Sequence, residues 1–377
     1  MNIERKVMKM KKCFLLFSLV CIFWGVNVVS ASDNGVFKVA DESSFEECIQ
    51  NASICQLSNS LDIKNKKEIL HDTTIDLNGY SISADSSLQL KSGFFVVKRG
   101  AKLTIEDSKG NGKISTGPNG NVWAAIQLID ENSGTELAEL VVNGGTIEGY
   151  YYGIVGNGKF HNTKVTINDG TIKGLNQEDS VGIYQPQNGE MIINGGTISG
   201  GTGIEIRSGN LTVNNGNIFA VASKFIKMVN ANGTTTNGVG ISIAQHTTKN
   251  PIKVAIHNGN IQGQYAFYEW NPHNNSQTDL DKIDMHIYGG NFTGLAQGVH
   301  AVYSQDFTKF ISGGKFNTDV KEYQVSATDS FEQASSVWSE QGTEQKSVLF
   351  PLFLIVLVGG LVYGIVYCRK EKLLFFK

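Results

Sequence analysis

The chain has 377 residues, 41% of them hydrophobic and 18% charged, a composition that excludes a collagen-like or wholly disordered protein. Glycine, with 42 residues, exceeds its usual share of about 7%, and proline, with 5, is scarce, the balance expected where strand ladders need tight turns and every backbone donor. Of the net charge of −3, residues 1–12 carry +4 and residues 369–377 carry +3, which leaves −10 on the rest, an acidic body that disfavours nucleic acid and anionic lipid as partners.

Residues 1–31 read as a secretory signal peptide. Arg5, Lys6, Lys9, Lys11 and Lys12 form a basic start, residues 13–29 are apolar, and Val29-Ser30-Ala31 offers small residues for cleavage. An uncleaved membrane anchor is the competing reading. Residues 32–72 are expected to form an N-terminal cap. Within it, residues 41–51 read as a short amphipathic helix with Ser43 or Ser44 as its cap and Phe45, Cys48 and Ile49 on one face. Such a helix covers the open strand edges at the end of a coil. Cys13 and Cys21 leave with the signal and Cys368 sits at the inner membrane edge, so only Cys48 and Cys55 remain outside. Seven residues apart in an oxidising space, they are candidates for a disulfide, the alternative being two buried thiols.

Residues 73–318 are expected to form a coil. Their organising unit is Val142-Asn143-Gly144-Gly145-Thr146-Ile147-Glu148-Gly149, which recurs at 167–174, 193–200 and 213–218 and more loosely at 256–261, 287–292 and 311–316. Each copy reads as two short strands bent at a Gly-rich corner. Further apolar runs at 152–155, 181–184, 203–206, 240–243, 266–268 and 299–302 complete each turn. Apolar residues alternate with polar ones rather than recurring at helical spacing, so the units are strands. No such unit buries its own apolar face, whereas stacked copies do.

The second glycines, Gly145, Gly170, Gly196, Gly216, Gly259, Gly290 and Gly314, are separated by 20 to 31 residues except for one step of 43. The long step implies an insertion at about 220–239. The repeat thus predicts a parallel β-solenoid of about ten rungs, about 50 Å long at the strand spacing. Asn143, Asn168, Asn194 and Asn214 share one corner. They form either a hydrogen-bonded ladder or simply good turns.

The strand series at 74–82, 94–97 and 103–114, the preceding helix and the Asn-Gly-Gly-Thr-Ile units resemble the right-handed parallel β-helix surface proteins of Gram-positive bacteria, within the pectin-lyase-like fold class. The resemblance spans about 44–320 and implies an architecture and a surface, adhesin-like role rather than an activity, since one fold hosts many functions.

Enzymatic signals are weak. Hydrolases of this fold look to carry Asn-Thr-Asp followed by three further motifs, and Asn317-Thr318-Asp319 matches only the first and lies after the last rung. Glu205 and Arg207 share a strand face and read as a surface ion pair rather than a lyase site. Asp279, Asp281 and Asp284 lack the glycine and terminal glutamate of a calcium loop, and no His/Cys cluster has metal-ligand spacing. The expectation is therefore no enzyme, no cofactor and no metal. Binding through aromatics is the better functional signal. Tyr150 and Tyr151, and Tyr265, Tyr268 and Trp270 with His273, lie near strand ends, where exposed rings stack on sugar faces or anchor a protein partner. The loops at 220–239 and 271–284 are further candidate recognition sites.

Residues 319–346 are polar and read as a stalk, and residues 347–368 as one transmembrane helix, since 348–367 carry no charge. Arg369, Lys370 and Lys372 place the tail, 369–377, in the cytoplasm. A wall-sorting signal is the alternative, but no Leu-Pro-x-Thr-Gly sequence precedes the apolar run. The reading is an all-β protein, a right-handed parallel β-helix with a short N-terminal capping helix and one C-terminal transmembrane helix. It is expected in the cell membrane as a single-pass protein with an extracellular ectodomain that presents faces and loops to a glycan or protein. A passive envelope-shielding protein and a carbohydrate-active enzyme are the alternatives.

Overall fold

The seven repeat glycines named above all adopt positive φ, from 77° at Gly145 to 125° at Gly216. Side-chain-bearing residues rarely take this conformation, so the second glycine of each unit is the point at which the chain turns from one strand into the next. The computed structural model describes residues 35–131, 134–231, 233–296 and 300–325, and the signal peptide, most of the stalk, the transmembrane helix and the tail expected from the sequence lie outside the described residues. Among the described residues no helix is long and apolar enough to cross a membrane.

Each rung contributes one strand to each of three sheets. Ala138–Val142, Thr146–Gly149 and Tyr152–Val155 form one rung, and each strand pairs in parallel with its equivalent on the next, as Ile147 does with Ile172 and Ile154 with Ile183. The sheets hold ten, ten and nine strands, and a separate two-stranded antiparallel hairpin completes the set. The result is a parallel β-helix.

Strict register stacks like on like inside the bore. In the second sheet the inward residues run Leu61, Ile82, Ile114, Ile147, Ile172, Ile198, Ile218, Ile261, Phe292 and Phe316, all buried. The rings of Phe292 and Phe316 stack with centroids 4.9 Å apart. Each buried isoleucine contributes about 1.5–3 kcal/mol, against about 1 kcal/mol for a typical hydrogen bond, so each member of this column outweighs any single ladder bond beside it.

At the N-terminus, the expected cap is itself partly coil. Ile54–Leu57, Leu61–Ile63 and Lys67–Ile69 form a full rung, and Phe37–Val39 adds an edge strand beyond it. These strands are three or four residues long and lack the glycine pair, which is why they escape the repeat pattern. The helix Glu42–Asn51 closes the bore with Phe45, Cys48 and Ile49. Its cap is Asp41 rather than Ser43 or Ser44. The Asp41 carboxylate accepts from the Ser44 amide at 2.8 Å while the Ser44 hydroxyl accepts from the Asp41 amide at 3.0 Å. The Ser44 amide and the Ser44 hydroxyl, which donates to the same carboxylate at 2.7 Å, hold the Asp41 carboxyl below its usual range. Buried Lys67 reaches Glu42 at 2.8 Å and Glu46 at 2.5 Å, tying helix to coil. Cys48 and Cys55 are joined by a disulfide, Cα atoms 5.8 Å apart, both side chains fully buried.

At the other end, residues 319–325, assigned by the sequence to the stalk, close the bore. Val320 and Tyr323 are buried, the Tyr323 ring lies 5.2 Å from that of Phe310, and Ile311 bridges both Ile287 and Gln324. A ring placed to fill the last open layer outweighs the polar character of its neighbours.

Candidate functional site

Along the third sheet, Ile183, Ile204, Ile241 and Phe267 point into the bore, so the alternate column Tyr184, Glu205, Ser242 and Tyr268 points outward. Yet all four outward residues are buried. The 43-residue step explains this. Between Asn217–Ala220 and Val239–Ile243 the chain forms the antiparallel hairpin of Ile226–Lys227 with Thr236–Asn237, which covers the outer face.

Two charged residues fasten this hairpin to the sheet. The Glu205 carboxylate accepts from the Thr235 amide and hydroxyl, each at 2.8 Å, and from the Thr236 amide at 3.4 Å. Burial raises its pKa, while the Arg207 charge and these hydrogen bonds oppose the rise. Arg207, fully buried, donates to the carbonyl oxygens of Ala244 at 3.2 Å, Ala231 at 3.1 Å and Gly233 at 2.5 Å and to the Tyr184 hydroxyl at 3.3 Å. Burial pushes the Tyr184 hydroxyl up to about 12. The surface ion pair expected of Glu205 and Arg207 is therefore corrected. Both are enclosed, neither forms an ion pair among the described residues, and each engages the hairpin instead.

The aromatic candidates separate into two groups. Trp123, 38% exposed, meets the Tyr151 ring edge-on at 5.7 Å, and Tyr151 meets Tyr150 at 4.7 Å. Tyr151 then leads through Tyr152 at 6.5 Å to Tyr184 at 5.6 Å, so a band of rings runs from the corner to the hairpin. Tyr150, Tyr151 and Tyr152 are half-buried and keep an accessible side. The second group differs from the sequence expectation of exposed strand-end rings. Tyr268 and Trp270 are only 3% and 4% exposed, because the hairpin lays Phe225 and Lys227 on them. Tyr265 and Tyr303 each lie 4.8 Å from Tyr268, and Phe225 lies 4.6 Å from Tyr265. His273 is not part of this group. Its Nε2 faces an Arg207 guanidinium nitrogen at 2.5 Å, and burial, then that cation, lower its pKa.

The second candidate loop, 271–284, contains the short helix Gln277–Leu280. Asp279 there is taken up by Lys249 at 2.7 Å and Lys282 at 2.9 Å, and these hydrogen bonds hold its carboxyl well below the usual range. Its oxygens serve the loop. Among the described residues no group of His, Cys, Asp and Glu is arranged to hold a metal. Two shallow depressions of 460 and 450 Å³ lie on the Gly-turn corner, one lined by His257, Gly289 and Lys315 and the other by Gly170, Gly196 and Asn217. They are open dips between successive turns, remote from the aromatic groups.

Phe225 and Lys227 fall in the 220–239 loop that the sequence offered as a recognition site, but the covering role of the hairpin was not legible, its one signal being the long step between Gly216 and Gly259. No protein-family model, curated protein or solved structure matches this chain.

Proposed function

We propose that the chain is a membrane-anchored extracellular β-solenoid of the cell surface, adhesin-like, that binds a glycan or protein through the outer face of its third sheet. The signal peptide expected from the sequence at 1–31, the membrane helix expected at 347–368 and the cytoplasmic tail expected at 369–377 would supply the export and anchoring this reading needs. The single supporting observation is the ring band Trp123, Tyr150, Tyr151 and Tyr152, mounted on paired rungs with Trp123 exposed, the tyrosine rings half-buried and centroids 4.7 to 6.5 Å apart. Aromatic faces of this kind contact the apolar faces of sugars or anchor a protein partner, and a rigid support lowers the ordering cost of binding.

Binding rather than catalysis is the reading because the carboxylate and guanidinium pair on this face, Glu205 and Arg207, is taken up in fastening the hairpin. The test is a glycan array probed with residues 32–346 beside Trp123→Ala and Tyr151→Ala. Retention of a glycan class by the unaltered protein and its loss in both variants is the expected result. An array with no bound class favours a passive shielding element, and release of reducing sugar from a polysaccharide revives the enzyme.

A further inference from the structure

We propose that the second aromatic group, Tyr265, Tyr268, Trp270 and Tyr303 with Phe225, is a binding box for an organic cation, and that the hairpin's Lys227 is its built-in occupant. The Lys227 ammonium lies 5.0 Å from the centre of the Trp270 ring and 5.9 Å from that of Tyr268. Both distances are within the reach of a cation–π contact, for which tryptophan is the strongest acceptor. Lys227 forms no ion pair among the described residues, and its side chain is exposed, so its ammonium faces the two rings on one side and water on the other.

Three features separate this arrangement from an ordinary lysine lying on a core ring. First, the rings do not belong to the bore: Tyr268 and Trp270, with Val239 and Ala244, form a cluster apart from the main core, against which Phe225, Tyr265 and Tyr303 pack. Second, Tyr265, Tyr268 and Tyr303 stand on strands of the coil and Trp270 directly follows one, while Phe225 and the cation come from the insertion, and the cation's position is set remotely. Glu205 holds Thr235 and Thr236, Lys227 pairs with Thr236, and so the ammonium is delivered over Tyr268 and Trp270. Third, two polar groups on this face, the Trp270 indole nitrogen and the Ser242 hydroxyl, both buried, have no hydrogen-bond partner among the described residues. Buried donors are normally paired, and a ligand with an acceptor beside its cationic centre would satisfy them.

The chemical class that fits is a quaternary or alkylated ammonium, which is weakly hydrated and gains more from ring faces than a primary ammonium does. This inference is independent of the glycan reading, which rests on a different ring group. The two fail separately, since Trp123→Ala and Tyr151→Ala leave this box intact.

The test is calorimetric titration of the full-length chain with tetramethylammonium chloride, against a sodium chloride control at equal ionic strength. Lys227→Ala vacates the box and is expected to bind about tenfold more tightly than the unaltered chain, a factor equal to about 1.4 kcal/mol and within the range of one such contact. Lys227→Arg keeps a cation in place and should show no gain. Combining Lys227→Ala with Tyr268→Leu should abolish binding while circular dichroism still reports the β-helix. If that double variant unfolds, Lys227→Ala with Trp270→Phe, which keeps the packing and weakens the cation contact, replaces it and should bind several-fold more weakly than Lys227→Ala alone. Equal affinity of the unaltered chain and Lys227→Ala, or no binding by a folded Lys227→Ala, overturns the proposal.

Discussion

Asn168 donates its side-chain amide to the side-chain carbonyl of Asn143, one rung away, at 2.8 Å. Asn194 does the same to Asn168, and Asn214 to Asn194, both at 2.8 Å. The corner asparagines therefore form a ladder rather than a set of independent turns. A second ladder, Asn217, Asn260 and Asn291, continues on the other side of the glycines at 2.8 to 2.9 Å. Where asparagine gives way in the first column, His257 and Tyr288 stack 4.9 Å apart and carry the stacking onward.

Asn168 is an interior member of the first ladder, so Asn168→Ala removes two hydrogen bonds and strands the Asn143 oxygen and the Asn194 amide. The ladder is exposed, which lets water satisfy the survivors, and the cost should be about 1–2 kcal/mol. Asn143→Ala, at the ladder's end, should cost about half as much. Urea denaturation of the two variants measures the ratio, and equal costs would mean that the ladder is not a connected unit.

The disulfide is a second test of the N-terminal closure. It closes a short loop between the capping helix and the strand Ile54–Leu57, for which chain entropy predicts about 2–3 kcal/mol of stabilisation. Cys48→Ala with Cys55→Ala should lose about that much and should raise hydrogen exchange in residues 37–57 first. Uniform exchange along the whole coil would show that the cap does not unzip separately.

Much of this was legible because the decisive signals are local. A positive-φ glycine every 20 to 31 residues, flanked by alternating apolar residues, specifies turn and inward face together, and stacking follows from identical neighbours. The corner asparagines were legible for the same reason. The rung at Ile54–Ile69 was not, because its strands are short and its turns lack the glycine pair. The site was legible only in part. Tyr268 and Trp270 alternate outward as the pattern implies, but what buries them is a hairpin whose landing place depends on Glu205 and Arg207, residues that no local pattern connects to it.

That dependence predicts how the hairpin is released. Glu205→Ala removes the acceptor for the Thr235 and Thr236 amides in a dry setting, and leaving such donors unpaired costs about 1–3 kcal/mol each. The hairpin, rather than the coil, is expected to yield. Limited proteolysis should cut between 224 and 237 in Glu205→Ala at a concentration of protease that leaves the unaltered chain whole, while the circular dichroism of the coil persists. Thr235→Val, which removes only the hydroxyl contact at 2.8 Å, should show a weaker version of the same cut.

Glu269 carries the clearest pH signal. It falls in register with Ile206 and Ile243, so its carboxyl points into the end of the bore at a position where the preceding rungs hold isoleucine. It is fully buried and accepts from the Ser304 hydroxyl at 2.6 Å and the amides of Gln305 and Asp306 at 3.1 Å, with no cation in ion-pair range among the described residues. Burial, reinforced by the neighbouring Asp306 charge, raises its pKa from 4.5 to about 7, and burial raises Asp306 as well. Because the folded carboxyl holds its proton more tightly than the unfolded one, the stabilisation is complete below about pH 4.5 and is lost as pH rises to about 7. The loss is about 3 kcal/mol at 1.36 kcal/mol per pH unit. Glu269→Gln keeps the shape without the titration. The difference in stability between the unaltered chain and this variant should therefore shift by about 3 kcal/mol in the variant's favour between pH 4.5 and 8. Denaturation at a series of pH values measures that difference directly, and two parallel curves would mean that Glu269 titrates as an ordinary carboxyl and that the C-terminal closure carries no buried proton.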